Sequence, residues 1–335
     1  MSIVNLFIII LQILLILATI VPILLLVAFY TLAERKAMGA IQRRKGPNVV
    51  GFWGLLQPIA DGLKLIIKEI VIPKKAELNI YLLAPMLTFW LSLMNWVVIP
   101  FNFGNCIADV NYGILYLLVI SGLGVYGVIL SGWSSNSKYS LLGGLRAAAQ
   151  MISYEIPISL TILPVIVITG TLNLTDIVFF QMQYGCLIFI LFPACLMFFI
   201  SILAETNRAP FDLSESEAEI VAGYNLEYSG ILFAMFFLGE YSNMMAMSSL
   251  VNILFLGGWV FFNFFGIYFS LIIFSLKTVF VAFLFILVRA ILPRYRFDQL
   301  MQLGWKSMLP LSLGFFMFTI NIVVGFNLVV PLIVY

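Results

Sequence analysis

The chain has 335 residues, of which 63% are hydrophobic and 10% are charged, and its mean hydropathy is +1.12. A water-soluble domain is about half apolar and about a quarter charged, so this composition excludes a soluble globular protein and indicates one surrounded mostly by lipid. The sequence has no histidine, and the spacing of Cys106, Cys186 and Cys195 fits neither an iron–sulfur nor a zinc site, so we expect no metal site and no redox centre in this chain.

The apolar segments predict an all-α membrane protein with eight transmembrane helices. A spanning helix needs about 20 mainly apolar residues, and eight segments meet this requirement: 3–33, 79–100, 113–133, 151–170, 184–204, 229–249, 268–289 and 308–330. The first segment is too long for a signal-peptide core and no basic region precedes it, so we expect no cleaved leader. No linker or repeat stands out, and we treat residues 1–335 as a single polytopic membrane domain.

The loop after the first span is predicted to contain an amphipathic interfacial helix. Between residues 55 and 70, apolar side chains recur near a helical period, whereas Gln57, Asp61, Lys64 and Lys68 occupy the other face. A turn signal at 45–48 precedes this segment. Such a helix lies in the plane of the membrane surface rather than across it.

Three acids lie in or at the ends of predicted spans. Glu155 is near the start of the fourth span, Glu205 ends the fifth, and Glu240 lies about halfway along the sixth. A charged side chain at the bilayer centre costs roughly 2.5–3.5 kcal/mol on insertion scales, and such residues are functional candidates by default. We predict that these acids carry protons. The plainer alternatives are interface anchoring for Glu155 and Glu205, and a hydrogen bond or a Lys277 pair that stabilises the bundle for Glu240.

The loop after the fifth predicted span is acidic. It contains Glu205, Asp212, Glu215, Glu217, Glu219 and Glu227. Clustered carboxylates repel one another, which raises the pKa of some of them and allows proton exchange near neutral pH. A solvated acidic loop is the alternative. We favour the functional interpretation because these acids lie on the side where positive charge is expected, and because apolar residues such as Phe211 are interleaved with them.

The segment 251–267 is apolar enough to be a ninth span, but the distribution of charge argues against one. With eight spans, nearly all basic residues fall on one side, in the loops 34–78, 134–150, 205–228 and 290–307. A ninth span would move Arg289, Arg294, Arg296 and Lys306 to the other side, against the positive-inside rule. We therefore place 251–267 near the opposite interface, and we expect the basic side to be the functional surface.

Acidic and basic residues are mixed at the ends of the first and seventh predicted spans. Glu34 and Arg35 end the first span, and Arg289 ends the seventh. Positive-inside anchoring accounts for much of the positive charge. The accompanying acids also suit the docking of a partner or a polar mouth for an amphiphilic ligand.

Seven motifs, in this order, resemble subunit 1 of the proton-pumping NADH:ubiquinone oxidoreductase, respiratory complex I. They are AERK at 33–36, RKGPNVVG at 44–51, LQPIADGLK at 56–64, SYE at 153–155, AETNRAPFD at 204–212, YNLEY at 224–228 and PRYRFDQLM at 293–301. The spans between them match this family in character only. Membrane-bound hydrogenases carry a homologous subunit, so the motif set is somewhat broader than NADH oxidation.

The resemblance implies a membrane-arm subunit that forms the membrane part of the quinone tunnel, docks the peripheral arm and couples quinone reduction to proton translocation. The implied tunnel residues are Glu34, Arg35, Arg44, Asp61, Phe237 and Arg289. The implied proton path contains Glu155, Glu205, Glu215, Glu217, Glu219 and Glu240. The implied loop-fixing and arm-docking residues are Arg208, Asp212, Glu227, Arg294, Arg296 and Asp298, with Arg208 and Asp212 as a pair.

The resemblance also implies that the chain acts only within a larger complex. Ubiquinone is the expected substrate, and flavin and iron–sulfur clusters are expected in partner subunits. The expected partners are the peripheral-arm quinone-site and iron–sulfur subunits, other hydrophobic membrane-arm subunits and lipids, but not nucleic acid. The expected location is the mitochondrial inner membrane, with the bacterial plasma membrane as the alternative. A proton-pumping hydrogenase subunit and a free-standing ion transporter are the alternative functions.

Overall fold

The structure, a computed structural model, describes residues 3–102, 104, 106–212, 223–260 and 269–326, with side chains from residue 16 onward. Within these ranges the chain forms helices and turns, without a β-strand. The helices in chain order are α1 Ile3–Ile41, α2 Gln57–Ile67, α3 Leu78–Met94, α4 Gly113–Ser134, α5 Lys138–Thr169, α6 Leu174–Tyr184, α7 Phe192–Glu205, α8 Gly230–Phe255, α9 Ser270–Ile291, α10 Phe297–Gln302 and α11 Leu309–Gly325. A π-helical turn, Leu303–Met308, joins α10 to α11.

The all-α membrane fold is confirmed. Seven helical segments of the described chain are long and apolar enough to cross a membrane: Ile16–Ile41, Leu78–Val97, Gly113–Ser134, Lys138–Thr169, Gly230–Phe255, Ser270–Ile291 and Phe297–Gly325. The helix α7 is apolar but has only 14 residues. The predicted amphipathic segment is also helical: α2 covers Gln57–Ile67. Apolar residues of this helix, such as Ile59, Leu63 and Ile66, are exposed.

The fourth predicted span is longer than expected. The helix α5 begins at Lys138 rather than 151, and the Ser137 side chain caps it by accepting from the Ser140 backbone N–H at 3.3 Å. Gly143 brings α5 against another part of the chain, since a Cβ there would lie 2.6 Å from the Gly223 Cα. The predicted loop 134–150 is therefore wrong beyond Ser137: its glycines serve close packing within a helix.

The fifth predicted span, 184–204, is also wrong at its start. The helix α6, which we did not predict, begins after Asn173, whose side chain accepts from the Thr175 backbone N–H at 3.1 Å. It ends at Tyr184, because the next residue, Gly185, has a φ of 99° that a helix cannot continue through. A 3₁₀ turn at Leu187–Phe189 follows, and α7 starts only at Phe192.

Two further boundaries differ from the prediction. The last span starts at Phe297 rather than 308, because α10 continues through the π-helical turn into α11. The segment 251–267 begins inside α8, which extends to Phe255, and residues 256–260 form a turn. Residues 261–267 lie outside the described part of the chain.

Hydrogen bonds gather parts of the four basic loops at one end of the bundle, as predicted. Asn136 donates to the Lys75 carbonyl at 3.2 Å, and the Ser229 hydroxyl accepts from the Val71 backbone N–H at 2.9 Å. The Tyr295 backbone N–H donates to the Pro210 carbonyl at 3.1 Å. Charged groups that are distant in sequence are thereby brought to the same end of the helices.

The core lies where α5, α6, α7 and α8 meet, and much of the outer surface is apolar. Tyr154, Phe198, Ile253 and Phe255 are fully buried in this core. Large exposed apolar side chains face outward: Trp90, Val119, Leu276, Phe280 and Phe318. Apolar contact alone gives helices little preference for one another over lipid, so close contacts at small residues such as Gly143 matter for packing.

Candidate functional site

Glu34 is the centre of a buried charged cluster at the basic end of the bundle. It lies inside α1, which continues to Ile41, and only 5% of the residue is exposed. Its Oε2 accepts from the Tyr241 hydroxyl at 2.6 Å, whereas its Oε1 lies 3.5 Å from Arg208 Nη1 and accepts from Arg289 Nη1. Four elements thus converge on this carboxylate: α1, α8, α9 and the turn after α7. We refer to these four residues as the Glu34 cluster.

Arg208 is held in this cluster on several sides. Its guanidinium lies over the Tyr241 ring, 4.2 Å from the ring centroid, in cation–π geometry. Burial opposes its charge, but Tyr241, Glu34 and Glu240 more than offset that effect and raise the pKa of Arg208 above its usual value. A buried charge is tolerated when it is paired and hydrogen-bonded, and two guanidiniums beside one carboxylate leave the cluster net positive.

A small cavity adjoins the Glu34 cluster. Its lining combines the charged groups with apolar side chains: Tyr30, Glu34, Arg208, Met244, Phe285, Ile286 and Arg289. The buried Arg208 Nη2 has no hydrogen-bond partner within the described part of the chain. The cavity itself is only about 10 Å³, room for roughly one water molecule, so what it offers a carbonyl oxygen is N–H donors beside an apolar wall rather than space for a whole ligand.

The other predicted tunnel residues extend outward from the Glu34 cluster to different degrees. Phe237 packs beside Tyr241 with 6.1 Å between ring centroids. Arg35 pairs with Asp61 of α2 at 2.8 Å, and both side chains are more than one-third exposed. Arg44 is exposed and donates to Gln42 at 2.8 Å. The structure thus brings Glu34, Arg289 and Phe237 together and places Arg35, Asp61 and Arg44 nearer the surface.

Two predicted proton-path acids meet between α4, α5 and α7. Glu205 is buried and lies close enough to Glu155 to interact electrostatically with it. The Ser121 hydroxyl of α4 lies within hydrogen-bonding reach of Glu205. The Glu205 Oε2 is buried without a hydrogen-bond partner in the described chain, so this pair has an unused acceptor inside the bundle.

Glu240 is separate from that pair and lies nearer the Glu34 cluster. It accepts a hydrogen bond from the Tyr224 hydroxyl and interacts electrostatically with Arg208. Lys277 was the alternative partner considered for Glu240. Its Nζ donates to three backbone carbonyls, those of Leu256 at 2.7 Å, Gly258 at 3.2 Å and Val260 at 2.5 Å. The predicted acids Glu215, Glu217 and Glu219 lie outside the described residues.

The turn after α7 is fastened to the segment before α10. Asp212 is buried and accepts from Arg294 at 3.4 Å, and Phe211 stacks on Tyr295 with 5.6 Å between centroids. Of the two residues that the resemblance implied as a pair, Arg208 forms an ion pair with Glu34 and Asp212 forms one with Arg294. The remaining predicted docking residues stand apart: Arg296 and Asp298 are exposed and lie 3.8 Å apart, and the backbone carbonyl of Glu227 accepts from Tyr81 at 2.7 Å.

Several residues of the site were not predicted from the sequence. Tyr241 and Tyr224 bond Glu34 and Glu240, and Gln150 donates to the carbonyls of Ala204 at 2.7 Å and Phe211 at 2.9 Å. A tyrosine or glutamine within an apolar helix can serve packing equally well. The one available signal was adjacency, since Tyr241 directly follows Glu240 in the sequence. No group of three or more His, Cys, Asp or Glu side chains that could hold a metal occurs in the described ranges.

Comparisons with known proteins give the family of the chain. The family model described as NADH dehydrogenase matches residues 14–320. The chain is 57% identical over 315 residues to NADH-ubiquinone oxidoreductase chain 1 of Chondrus crispus, covering 93% of this chain and 96% of that protein. It is 55% identical over 329 residues to an NADH-quinone oxidoreductase subunit of Paramagnetospirillum magneticum, covering 96% and 94%. It is also 57% identical over 304 residues to NADH-ubiquinone oxidoreductase chain 1 of Arabidopsis thaliana, covering 89% of this chain and 93% of that protein. On this evidence the chain belongs to the NADH dehydrogenase family of membrane subunits.

Proposed function

We propose that this chain is a membrane-arm subunit of an NADH:ubiquinone oxidoreductase, in which it forms the membrane part of the quinone-binding tunnel and couples quinone reduction to proton translocation. The observation that carries this proposal is the buried Glu34 cluster beside a cavity. The names of the relatives supply the reaction, and the cluster supplies a quinone headgroup with buried positive charge and with an N–H donor, Arg208 Nη2, that has no partner among the described residues.

The tunnel follows the chemistry of the cluster. A quinone headgroup has two carbonyl oxygens, which can accept from N–H groups of Arg208, whose Nη2 has no partner in the described chain, and of Arg289. Reduction of quinone generates negative charge, and a net-positive cluster stabilises such charge in a low-dielectric setting. Arg35, Asp61 and Arg44 lie further out and form the tunnel entrance, while Phe237 contributes an apolar wall beside Tyr241.

Arg208 connects the quinone cluster to the acids. It interacts with Glu34 on one side and with Glu240 on the other. When charge appears near Glu34, the field at Arg208 changes, and so does the stability of a charged Glu240. An unpaired buried charge is costly, so a proton must move or the groups must shift. Glu240, Glu205 and Glu155, with Glu215, Glu217 and Glu219 of the acidic loop, form the proton path in this proposal.

The eighth crossing of the membrane is α7 with the turn before it. Fourteen helical residues span about 21 Å, which is less than the roughly 30 Å hydrocarbon core, and the apolar residues 186–191 supply the rest of the path. The helix α2 lies at the membrane surface, since its apolar face is exposed and Lys64 and Asp61 flank it. Irregular backbone at membrane depth is tolerated where it is buried in protein; Leu187 and Leu191 of that stretch are buried in the chain itself, whereas Phe189 and Ile190 are exposed.

The partners follow from the same assignment. The exposed pair Arg296 and Asp298, with Arg294 beside it, faces the basic end and serves to dock the peripheral arm, whose subunits carry the flavin and the iron–sulfur clusters. Other hydrophobic subunits and lipids cover the apolar outer surface. The membrane is the mitochondrial inner membrane or a bacterial plasma membrane, since the relatives include bacterial proteins as well as those of an alga and a plant. No feature of the described residues favours the hydrogenase or transporter alternatives.

The decisive experiment replaces Arg289 with alanine in the assembled complex. Loss of a charge-assisted hydrogen bond to Glu34 or to the quinone should raise the apparent quinone KM by about tenfold. Electron transfer from NADH to an artificial acceptor at the flavin should stay normal. Lys74→Ala, which removes a positive charge from the exposed first loop, is the matched control and should change neither activity. An assembled Arg289→Ala complex with a normal quinone KM would contradict the tunnel assignment.

A further inference from the structure

The helix α4 contains no acidic residue, yet two adjacent residues of it face the Glu155–Glu205 pair. Gly122 lies against the Glu155 carboxylate, and Ser121 lies beside Glu205. Since α4 packs along α5, which carries Glu155, this short segment adjoins both acids at once. Neither residue was singled out by its sequence pattern.

Gly122 leaves room that the Glu155 carboxylate uses. A Cβ built on Gly122 would lie 2.8 Å from Glu155 Oε1 and 3.5 Å from both Cδ and Oε2. Gly122 lies within a regular helix and is absent from the residues with positive φ, so the backbone itself does not require glycine here. Glycine weakens a helix interior relative to alanine, so it needs another reason here. That reason is the space it leaves for the Glu155 carboxylate.

Gly124 provides an internal comparison on the same helix. A Cβ built there would meet no atom within 4 Å. Of these two glycines of α4, only Gly122 has a carboxylate against it. A methyl group at 122 would meet the end of a flexible side chain rather than backbone, so Glu155 would move while the helices keep their packing.

Ser121 has one hydroxyl hydrogen and two possible acceptors. In the structure it donates to the Leu118 carbonyl at 2.9 Å. The Glu205 carboxyl lies within reach of the same hydroxyl, and the buried Glu205 Oε2 has no partner in the described chain. A protonated Glu205 can donate to the Ser121 oxygen while Ser121 keeps its bond to Leu118. An ionised Glu205 needs a donor, and Ser121 must then turn away from Leu118.

We propose that Ser121 and Gly122 are positioning residues of the Glu155–Glu205 pair: Gly122 admits the Glu155 carboxylate, and the Ser121 hydroxyl changes its acceptor with the protonation state of Glu205. This inference rests on the proposed function, because it gives the acid pair a supporting element in α4. Only hydrogen bonds are exchanged in this step, and the proton that Glu205 gains or loses is the one carried along the proposed path.

The first test uses three glycine variants in the assembled complex. Gly122→Ala should displace Glu155 and lower quinone-linked proton pumping by about tenfold, within the range that a misplacement of about 1 Å can cause. Gly122→Ser should recover much of that loss, since its hydroxyl can donate to the carboxylate it displaces. Gly124→Ala should pump normally. Normal pumping by Gly122→Ala, or an equal loss in Gly124→Ala, would overturn the role of Gly122.

The second test addresses Ser121 through the pH profile of quinone-linked turnover. Ser121→Ala removes the hydroxyl beside Glu205 and should displace the profile by more than about 0.5 pH unit. Ser131→Ala removes a comparable hydroxyl of α4 that bonds the Val128 carbonyl at 2.8 Å, and it should leave the profile unchanged. An unchanged profile in Ser121→Ala would overturn the switching role.

A variant of the acid itself separates this inference from the proposed function. If Glu205→Gln pumps normally, the acid path fails and the role of α4 fails with it. If Glu205→Gln is impaired while Gly122→Ala and Ser121→Ala behave like the wild type, the path stands and the α4 inference alone is wrong.

Discussion

At the scale of single residues, Glu240 and Tyr241 are neighbours that serve different groups. Adjacent helical positions point about 100° apart, so Tyr241 reaches Glu34 while Glu240 accepts from Tyr224. Arg208 lies near both, over the Tyr241 ring and within the field of Glu240. A rotation of about 100° around α8 therefore separates the proposed quinone side from the proposed proton side, and Arg208 interacts with a residue on each.

Glu240→Gln tests this arrangement. The amide keeps the shape and can still accept from Tyr224, so the complex should assemble in normal amounts. The amide cannot bind and release a proton. Quinone-linked turnover coupled to pumping should therefore fall by roughly 10²-fold or more, which is the smallest rate contribution typical of a proton-transferring side chain. Pumping is measured in vesicles with NADH and a soluble quinone.

Glu69→Gln is the control for that prediction, because Glu69 is an exposed acid of the first loop. Wild-type turnover and pumping in an assembled Glu240→Gln complex would remove Glu240 from the proton path.

At the scale of helices, composition predicted the long spans and the basic loops, whereas helix boundaries that depend on local contacts were missed. Length and apolarity identified each long span, and the charge pattern placed the four basic loops at one end. The early start of α5 was missed because Gly143 looks like a loop residue until its contact with Gly223 is known. The break after α6 was missed because Gly185 lies within an apolar run, and apolarity carries no information about φ.

The same limit applied to the site. Glu34, Arg289 and Glu240 could be selected because charge within or beside an apolar span is costly and therefore conspicuous. Tyr241, Gln150 and Gly122 could not, because each is unremarkable in sequence and gains its role only from a partner more than 30 residues away in the chain.

Gly143→Ala tests the close packing of α5 directly. A Cβ there would lie 2.6 Å from the Gly223 Cα and 2.9 Å from the Tyr224 backbone nitrogen, and backbone atoms cannot move aside cheaply. Overpacking of this kind costs about 1–3 kcal/mol, so less assembled complex should be recovered and its thermal midpoint should fall. Gly314→Ala of α11, which would meet no atom within 4 Å, should behave like the wild type. Equal stability of the two variants would show that the α5 contact is unimportant.

At the scale of the whole molecule, charge and apolar surface are separated. The outer face is apolar along α3, α4, α9 and α11, whereas the ion pairs of Glu34, Asp61 and Asp212 lie toward the basic end. The described residues on either side of the acidic segment are held at this end as well, Asp212 by Arg294 and Tyr224 by its bond to Glu240.

The double variant Glu215→Gln with Glu217→Gln tests the loop as a coupling element. Removing two carboxylates removes their mutual repulsion and their capacity to bind protons, so quinone-linked activity should fall and its pH profile should shift. The complex should remain detectable on a native gel. Glu69→Gln with Glu77→Gln removes two exposed acids from the first loop and should have little effect, as exposed charges contribute little. Wild-type activity and pH dependence in the acidic-loop variant would mean that this loop is merely solvated.

The carbonyls that hold Lys277 have a consequence for biosynthesis. Lys277 lies about 10 Å into α9, and a lysine carried alone into the bilayer resists insertion, by up to roughly 2.5–3.5 kcal/mol at the centre. Its three acceptors, at Leu256, Gly258 and Val260, follow the end of α8. Because ribosomes synthesise the chain from its N-terminus, these acceptors leave the ribosome before the lysine does. The acceptors of the ammonium have therefore already been synthesised when α9 enters the membrane, so the lysine need not enter the bilayer without partners.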